Sequence, residues 1–332
     1  MKIRIITPSR LHFSLIDLNG QIGRIDGGLG VALNQPNIII EAERDIDNYK
    51  LDIINSPGYS TEDLNDLTKN ILKSLNIENG ISLKINSTIP AHIGLGSKTQ
   101  LSLAISKALC LLNNMDKTPY ELACITSRAG TSRIGLSAFE QGGFIIDGGH
   151  SFGKGNQKET FLPSSASKAP PAPILYSDTI PSDWYFVIAI PKIRHGAHGS
   201  EEINIFQEYC PISINDVQTI SHIILMKILP ALKERRIDIF GHGIYELQHI
   251  GFKKVEIELQ DEIISDLIEF CIKNGAYGSG MSSFGPTTFA LIESLPKAQQ
   301  LKQKIETFLK NKYETDVFIT NVNNKGAQIE VI

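Results

Sequence analysis

A glycine-rich segment carries the clearest chemical signal in the sequence. Residues 90–100 read Pro-Ala-His-Ile-Gly-Leu-Gly-Ser-Lys-Thr-Gln. Glycines permit a tight turn, and successive backbone N–H groups at a helix start can point at an anion, which the helix dipole also favours. We therefore expect a phosphate-binding loop, with an ordinary turn capped by Ser97 as the alternative. The expected contacts are Gly94, Leu95, Gly96, Ser97, Lys98, Thr99 and Gln100.

The loop lies between a predicted strand and a predicted amphipathic helix that would hold it in place. Apolar and polar residues alternate over 81–85, which is typical of a half-buried strand. After the loop, apolar residues recur three and four positions apart, so they share one face of a helix. These residues are Leu101, Ala104, Ile105, Ala108, Leu109 and Leu112. We expect this face to pack on a sheet that contains the strand.

Composition narrows the class of protein. Of the 332 residues, 42% are hydrophobic, so the chain can bury a sizeable core. Its 32 basic and 36 acidic residues are mixed along the sequence, and no polybasic tract offers a site for nucleic acid or an anionic membrane. No apolar run approaches the ~20 residues of a membrane helix, and the start lacks a signal-peptide core. We expect a cytoplasmic protein that binds small molecules.

The remaining patterns predict a two-domain α+β protein. Residues 153–183 are rich in proline, serine and lysine and are typical of a long connection. We therefore place the boundary there, with domains at 1–180 and 181–332. The first domain is expected to contain further strands at Ile3, Ile5 and 38–40. The second is expected to contain strands at 184–190, 287–292, 317–319 and 329–332, and helices at 216–232, 237–250, 261–273 and 301–309.

Cysteine and histidine spacing gives little support for a structural metal site. Four cysteines are scattered without a Cys-x-x-Cys pair, so reduced core thiols are the expectation. His195 and His198 are spaced like metal ligands, but the glycines beside them indicate a loop, and no third ligand is evident nearby. We do not expect zinc.

Three segments, in order, resemble the motifs of the GHMP kinases, the superfamily of galactokinase, homoserine kinase, mevalonate kinase and phosphomevalonate kinase. Residues 90–100 are similar to their Pro-x-x-x-Gly-Leu-Gly-Ser-Ser loop. Residues 9–13 stand where these enzymes carry their first motif, and 278–286 look like their third, a glycine-rich turn that closes over the phosphate site. The resemblance implies a GHMP-kinase fold, with an N-terminal ribosomal-protein-S5-like α/β domain and a C-terminal ferredoxin-like α+β domain.

Further segments resemble one branch that is not a kinase, β-ribofuranosylaminobenzene 5′-phosphate synthase. They are residues 10–13, 17–20, 23–30, 139–150 and 195–202. This resemblance implies condensation of phosphoribosyl pyrophosphate with 4-aminobenzoate or 4-hydroxybenzoate, releasing pyrophosphate and CO2, in methanopterin biosynthesis. It also implies Mg²⁺, no organic cofactor and a homodimer.

Two departures from these patterns bear on the activity. The kinases generally place a catalytic aspartate shortly before a Gly-Gly-Phe segment, whereas residues 135–139 are Gly-Leu-Ser-Ala-Phe. Within the synthase branch, Lys98 stands where a small residue is usual, and residues 132–134 follow its basic stretch only loosely. An ATP-dependent small-molecule kinase, an ATP-consuming decarboxylase and a silent metabolite-binding protein stay as alternatives.

The resemblance and the residue types together assign catalytic roles to Asp17, Arg24 and Asp26. The carboxylate of Asp17 could bind Mg²⁺ or face the cation that develops on the sugar. The rigid guanidinium fork of Arg24 matches a carboxylate or a phosphate, and a surface ion pair with Asp26 is the alternative. The predicted metal ligands are Asp17, Ser97 and Glu201, although the adjacent glutamates Glu201 and Glu202 also fit a solvated helix start.

Six more residues are predicted to contact phosphate or substrate. Ser282 and Ser283 would donate hydrogen bonds to phosphate, with a plain turn as the alternative. Asp147 is either a turn-former before two glycines or a metal or ribose ligand. His12 and His150 also fit core histidines with satisfied hydrogen bonds. Arg10, from the first motif, completes the set.

Overall fold

Two β-sheets with packed helices make up the described part of the chain, residues 1–45, 49–78, 80–193 and 199–332 of a computed structural model. The strands are β1 (Lys2–Asp17), β2 (Arg24–Arg44), β3 (Tyr49–Ile53), β4 (Ile81–Ser87), β5 (Phe144–Asp147), β6 (His150–Ser151), β7 (Ile174–Asp178), β8 (Trp184–Pro191), β9 (Gly278–Met281), β10 (Thr288–Glu293), β11 (Thr315–Asn321) and β12 (Gln328–Val331). The helices are α1 (Thr61–Ser74), α2 (Ser97–Leu112), α3 (Pro119–Ile125), α4 (Ile134–Glu140), α5 (Ser200–Tyr209), α6 (Ile214–Ile223), α7 (Leu229–Lys233), α8 (Ile237–Leu247), α9 (Gly251–Glu258), α10 (Ile263–Lys273) and α11 (Leu295–Leu309). A π-helical turn, Ile224–Ile228, joins α6 to α7.

The first sheet is built around a long antiparallel hairpin of β1 and β2. Its strands follow the order β12-β1-β2-β4-β3; β5 and β6 also pair with β2, and β7 pairs with β5. In the hairpin His12 faces Gly30, Asp17 faces Asp26, and the register shifts twice, after Thr7 and after His12. β3 and β4 pair in parallel, which requires the crossover that α1 supplies.

Helix α2 lies against β1 and β2 and confirms the predicted amphipathic helix. All of its predicted apolar residues are buried. The buried surface is wider than one face, because Ser102 and Ser106 are covered as well. Strand β4 confirms the predicted strand before the loop. The segment between them is therefore held at both ends by the core.

The second sheet is antiparallel, with strand order β11-β8-β10-β9. Helices α10 and α11 pack on it, which gives the β-α-β-β-α-β succession of ferredoxin-like domains. Phe13 of β1 contacts Phe289 of β10, with ring centroids 5.1 Å apart. The two sheets thus share one core, and the first and third sequence motifs meet where they join.

Three elements differ from the sequence prediction. The strand expected at 329–332 in the second domain is β12, which pairs with β1 of the first sheet, Val331 opposite Ile3. The helix expected at 237–250 is α8, which ends earlier, at Leu247, and the separate helix α9 begins at Gly251, which has φ +58°. Helix α11 begins at Leu295, earlier than predicted, because Pro296 fits the first turn of a helix. The domain limits at 180 and 181 stay predictions.

The cysteines are free, as predicted, although Cys124 is exposed, unlike buried Cys110 and Cys271. His195 and His198 lie outside the described residues. Among the described helices, none has the length and apolar character to cross a membrane.

Candidate active site

The predicted phosphate loop forms a tight turn that leads into α2. Gly94 and Gly96 adopt φ +83° and +81°, in the left-handed region that favours glycine. In the described structure no side chain caps the start of α2. The first backbone N–H groups of a helix have no partner within the helix, so those of Ser97, Lys98 and Thr99 can receive an anion.

The three sequence motifs meet at this loop. Arg10, from the first motif, donates from Nη1 to the carbonyl oxygen of Gly94. Ser282, from the third, donates from Oγ to the same oxygen at 2.7 Å. Thr287 Oγ1 donates to the carbonyl oxygen of Ile93 at 2.5 Å. These bonds turn the loop carbonyls toward the protein.

A cleft of about 420 Å³ opens beside the loop and is lined by all three motifs. Of the predicted residues, those in its wall are Arg10, His12, Gly94, Gly96, Ser97, Lys98, Thr99 and Ser283. A second cavity of about 520 Å³ adjoins it and shares the walls formed by His92, Ser97, Lys98 and Arg128.

Two other loop residues, Leu95 and Gln100, are buried and do not line the cleft. Leu95 is buried among apolar side chains, and its carbonyl oxygen accepts a hydrogen bond from the Arg10 N–H at 3.1 Å. Gln100 is fully buried and donates from Nε2 to the carbonyl oxygen of Gly135 at 2.6 Å. Both side chains therefore anchor the loop to the protein core on the side away from the cleft.

Buried charges surround the cleft on its second-domain side. Lys253 and Glu256 of α9 form an ion pair, and Lys253 Nζ donates to the carbonyl oxygen of Ser283 at 3.0 Å. Burial lowers the pKa of Lys253 and raises that of Glu256. Burial also lowers the pKa of Arg10 to about 10, so it stays cationic. Lys253 and Glu256 were not predicted as site residues, since a pair of opposite charges three residues apart on a helix usually marks a solvated face.

Glu202, and not its predicted neighbour Glu201, lines the cleft. Its Oε2 accepts a hydrogen bond from Ser165 Oγ at 3.0 Å. Burial, followed by the charge of Glu256, raises the pKa of Glu202 to about 7. Glu201 lies exposed in the first turn of α5.

Anion affinity is expected to fall as the pH rises through 7, because Glu202 then gains a negative charge that repels the anion. At a separation of several ångströms the repulsion is worth roughly 1 to 2 kcal/mol, about five- to thirtyfold in affinity. Calorimetric titration of inorganic pyrophosphate in EDTA at pH 6 and pH 8 measures the change. The Glu202→Gln variant reports the background from ionisation of pyrophosphate itself. Equal pH slopes for both proteins would contradict the prediction.

Asp17, the last residue of β1, and Arg24, the first residue of β2, flank the turn of the hairpin. Asp17 Oδ1 accepts hydrogen bonds from the N–H groups of Asn19 at 2.7 Å and Gly20 at 3.1 Å. Arg24 is exposed and donates from Nε to the Gly148 carbonyl oxygen and from Nη2 to that of Gly149 at 3.1 Å. Neither Asp17 nor Arg24 is among the described residues that line the cleft. Their catalytic roles stay predictions.

Asp26 is the centre of a buried polar network. It is 1% exposed, and its Oδ2 lies 2.6 Å from His150 Nδ1 and 2.9 Å from Lys158 Nζ. Lys158 Nζ also donates to Thr131 Oγ1 at 3.1 Å and to the Leu162 carbonyl oxygen at 3.0 Å. The alternative of a surface ion pair between Arg24 and Asp26 is therefore wrong, because Asp26 is buried and pairs with His150 and Lys158.

His150 and Asp147 are fully buried with hydrogen-bond partners. His150 Nε2 lies 2.8 Å from the Pro170 carbonyl oxygen. Asp147 accepts hydrogen bonds from the N–H groups of Arg133 at 2.9 Å and Gly149 at 3.1 Å, as a turn-former does. Burial raises the pKa of Asp147 to about 6.

The predicted magnesium ligands are not brought to one place. Ser97 lines the cleft and accepts a hydrogen bond from Tyr59 OH at 2.9 Å, whereas Asp17 lies at the end of β1, beside the hairpin turn. Over the described ranges no group of three or more His, Cys, Asp and Glu side chains is placed to hold a metal ion. Glu202 and Glu256 supply the carboxylates of the cleft wall.

Comparison with known proteins identifies relatives along the whole chain. Residues 64–143 match the GHMP kinases N terminal domain, and 228–311 match the GHMP kinases C terminal model. A beta-ribofuranosylphenol 5'-phosphate synthase of Methanocaldococcus jannaschii is 45% identical over 98% of this chain and 99% of its own. One of the same name from Archaeoglobus fulgidus is 40% identical over 99% of this chain and 100% of its own.

Solved structures agree with the fold. The homoserine kinase of Cytophaga hutchinsonii superposes with a TM-score of 0.67 at 17% identity, covering 99% of this chain and 97% of its own. The predicted two-part GHMP-kinase fold is thereby confirmed.

Proposed function

We propose that this chain joins phosphoribosyl pyrophosphate to a 4-substituted benzoate. Carbon dioxide and pyrophosphate are the other products. The chain belongs to the β-ribofuranosylphenol 5′-phosphate synthase family, which has the GHMP-kinase fold. The observation that carries the proposal is identity of 40% or more to such synthases over nearly the full chain. The loop at the start of α2 supports it, because pyrophosphate is the kind of anion that such a loop binds.

The cleft residues fit departure of a pyrophosphate. As that group leaves, the anomeric carbon becomes oxocarbenium-like, and negative charge grows on the pyrophosphate oxygens. The backbone N–H groups of residues 97–99, together with Lys98, can stabilise this charge without rearranging. Arg10 contributes a second positive charge to the cleft wall.

The arene attacks through the ring carbon that carries its carboxylate. Loss of CO2 from that carbon then restores the aromatic ring, so the ring itself loses no proton. This agrees with residues 135–139, which lack the aspartate of the kinases and lie in buried helix α4. The kinase alternative is accordingly less supported.

We propose 4-hydroxybenzoate as the preferred arene. The group opposite the carboxylate is retained during the reaction, so a phenol product arises from the hydroxy compound and an aminobenzene from 4-aminobenzoate. The relatives are named for a ribofuranosylphenol. The sequence motifs leave open which of the two arenes is preferred.

Several further properties are proposed on the same basis. Mg²⁺ usually binds through one or two carboxylates and substrate phosphates, and it would neutralise pyrophosphate charge here. Ser97 and Glu202 are the cleft residues that would hold it. A homodimer, a cytoplasmic location and a place in methanopterin biosynthesis complete the proposal.

The function is tested with phosphoribosyl pyrophosphate, Mg²⁺ and carboxyl-labelled arene in the absence of ATP. We expect labelled CO2 and pyrophosphate in equal amounts, and 4-hydroxybenzoate consumed ahead of 4-aminobenzoate when both are present. Activity that appears only with ATP would support a kinase or an ATP-dependent decarboxylase. Binding without turnover would support a silent metabolite-binding protein.

A further inference from the structure

His12 is a buried histidine whose ring has unmet hydrogen-bonding groups. It lies within β1 and is 5% exposed. In the described structure neither ring nitrogen has a hydrogen-bond partner. A neutral imidazole has one donor and one acceptor nitrogen, and buried polar groups are normally paired. Since His12 also lines the cleft, a bound ligand is the natural partner.

The position of His12 ties it to the phosphate loop and to Ser132. Its backbone N–H donates to Ser282 Oγ at 3.0 Å, and that hydroxyl donates to the Gly94 carbonyl oxygen at 2.7 Å. A methyl group on Gly28 would lie 3.0 Å from His12 Nε2 and 3.2 Å from Ser132 Oγ. The ring nitrogen and the Ser132 hydroxyl, both in the cleft wall, therefore lie close to one another.

The charges around His12 keep its ring neutral. Burial, and then Arg10 of β1 and Lys253 of α9, lower the pKa of His12 well below its usual value. Asp147 Oδ2, on β5, lies 3.5 Å from the position that a methyl group on Gly28 would take, and it accepts a hydrogen bond from the Arg133 N–H. The neutral ring can accept a proton. Negative substrates bound near Arg10 would offset its repulsion and make the ring more basic.

Resting on the proposed function, we propose that His12 is the base that takes the proton from the para hydroxyl of the arene. As the hydroxyl O–H bond breaks, the ring carbon bearing the carboxylate bonds to the anomeric carbon, and the bond to pyrophosphate breaks. The resulting dienone loses CO2, and the electron pair of the broken bond between the ring and the carboxylate restores the aromatic ring. The phenolate oxygen then recovers the proton from His12, so no net proton is gained or lost. Ser132 Oγ donates to the same oxygen.

This role makes His12 more important for a hydroxyl than for an amino group. A phenolic hydroxyl has a pKa of about 10, so at neutral pH it enters the cleft protonated. An amino group can donate its lone pair to the ring without losing a proton. His12 is therefore a residue that favours 4-hydroxybenzoate over 4-aminobenzoate.

The experiment compares both arenes in the His12→Asn variant, with exposed His222→Asn of α6 as the matched control. We expect kcat/KM for 4-hydroxybenzoate to fall about 10²-fold or more, the range for loss of a general base. The fall for 4-aminobenzoate should be much smaller, and the KM for phosphoribosyl pyrophosphate should change little. Equal losses with both arenes, or retained hydroxyarene activity, would overturn the proposal.

A second measurement needs no substitution and decides the matter if His12→Asn fails to fold or if only the hydroxyarene reacts. With the wild-type protein, turnover of 4-hydroxybenzoate should be slower in deuterium oxide, because a hydroxyl proton moves as the ring attacks. A single-turnover rate unaffected by deuterium would overturn the role of His12. Absence of any arene turnover in the wild-type protein would instead refute the proposed function.

Discussion

Alanine at Gly94 is expected to reduce turnover of phosphoribosyl pyrophosphate by about 10²- to 10³-fold, the scale reported for loss of one backbone or side-chain donor to a developing anion. The added methyl group would collide with the Ser282 carbonyl oxygen, and φ +83° is itself unfavourable for alanine. The loop would have to move away from the third motif. Its amide groups would then no longer face the departing pyrophosphate. Turnover and calorimetric binding of pyrophosphate measure the effect.

Gly155→Ala separates the collision from the backbone strain. Gly155 has a similar φ of +77°, but no atom of the described residues lies within 4 Å of the position that its methyl group would take. We expect this variant to lose a little stability and to bind pyrophosphate like the wild-type protein. If Gly94→Ala bound pyrophosphate as tightly as Gly155→Ala does, the loop would not be the anion site.

Replacing Lys158 by methionine is expected to destabilise the protein by roughly 3–5 kcal/mol, the cost of breaking a buried ion pair from one side. The carboxylate of Asp26 would stay buried without its lysine partner, and the Leu162 carbonyl oxygen would lose a donor. Residues 163–165, which follow directly, line the cleft. Urea unfolding measures the stability, and arene turnover should fall with it.

Two comparisons identify the source of that loss. Lys154→Met, on the exposed part of the same segment, should change stability by no more than about 0.5 kcal/mol. Adding Asp26→Asn to Lys158→Met should recover part of the loss, because the stranded charge is removed. A Lys158→Met protein within about 1 kcal/mol of the wild type would show that the network contributes little.

The sequence predicted the phosphate loop because its signal is local. Glycines at 94 and 96, followed at once by a helical apolar pattern, specify a turn and a helix without information from elsewhere in the chain. The order of the three motifs indicated that they belong together. Their meeting at the Gly94 carbonyl oxygen agrees with that.

The buried charges could not be predicted because they depend on strand register and distant contacts. A slip of one residue moves a strand side chain to the opposite face. The register of β1 shifts after Thr7 and after His12, so simple alternation does not tell which side His12 faces. Lys158 follows a polar segment typical of a surface loop and meets Asp26 from 132 residues away. The catalytic role predicted for Asp26 stays a prediction, and its buried pairing with His150 and Lys158 was not predicted.

The pairing of β12 with β1 has a consequence for biosynthesis. Until residues 328–331 have left the ribosome, residues 3–6 of β1 lack the strand that pairs with them on that side and form an open edge of the first sheet. Unpaired edge strands readily associate with other chains. A nascent chain that already contains the complete loop and α2 therefore remains prone to aggregation until this late segment is translated, and a premature stop codon shortly before it would leave that edge permanently uncovered.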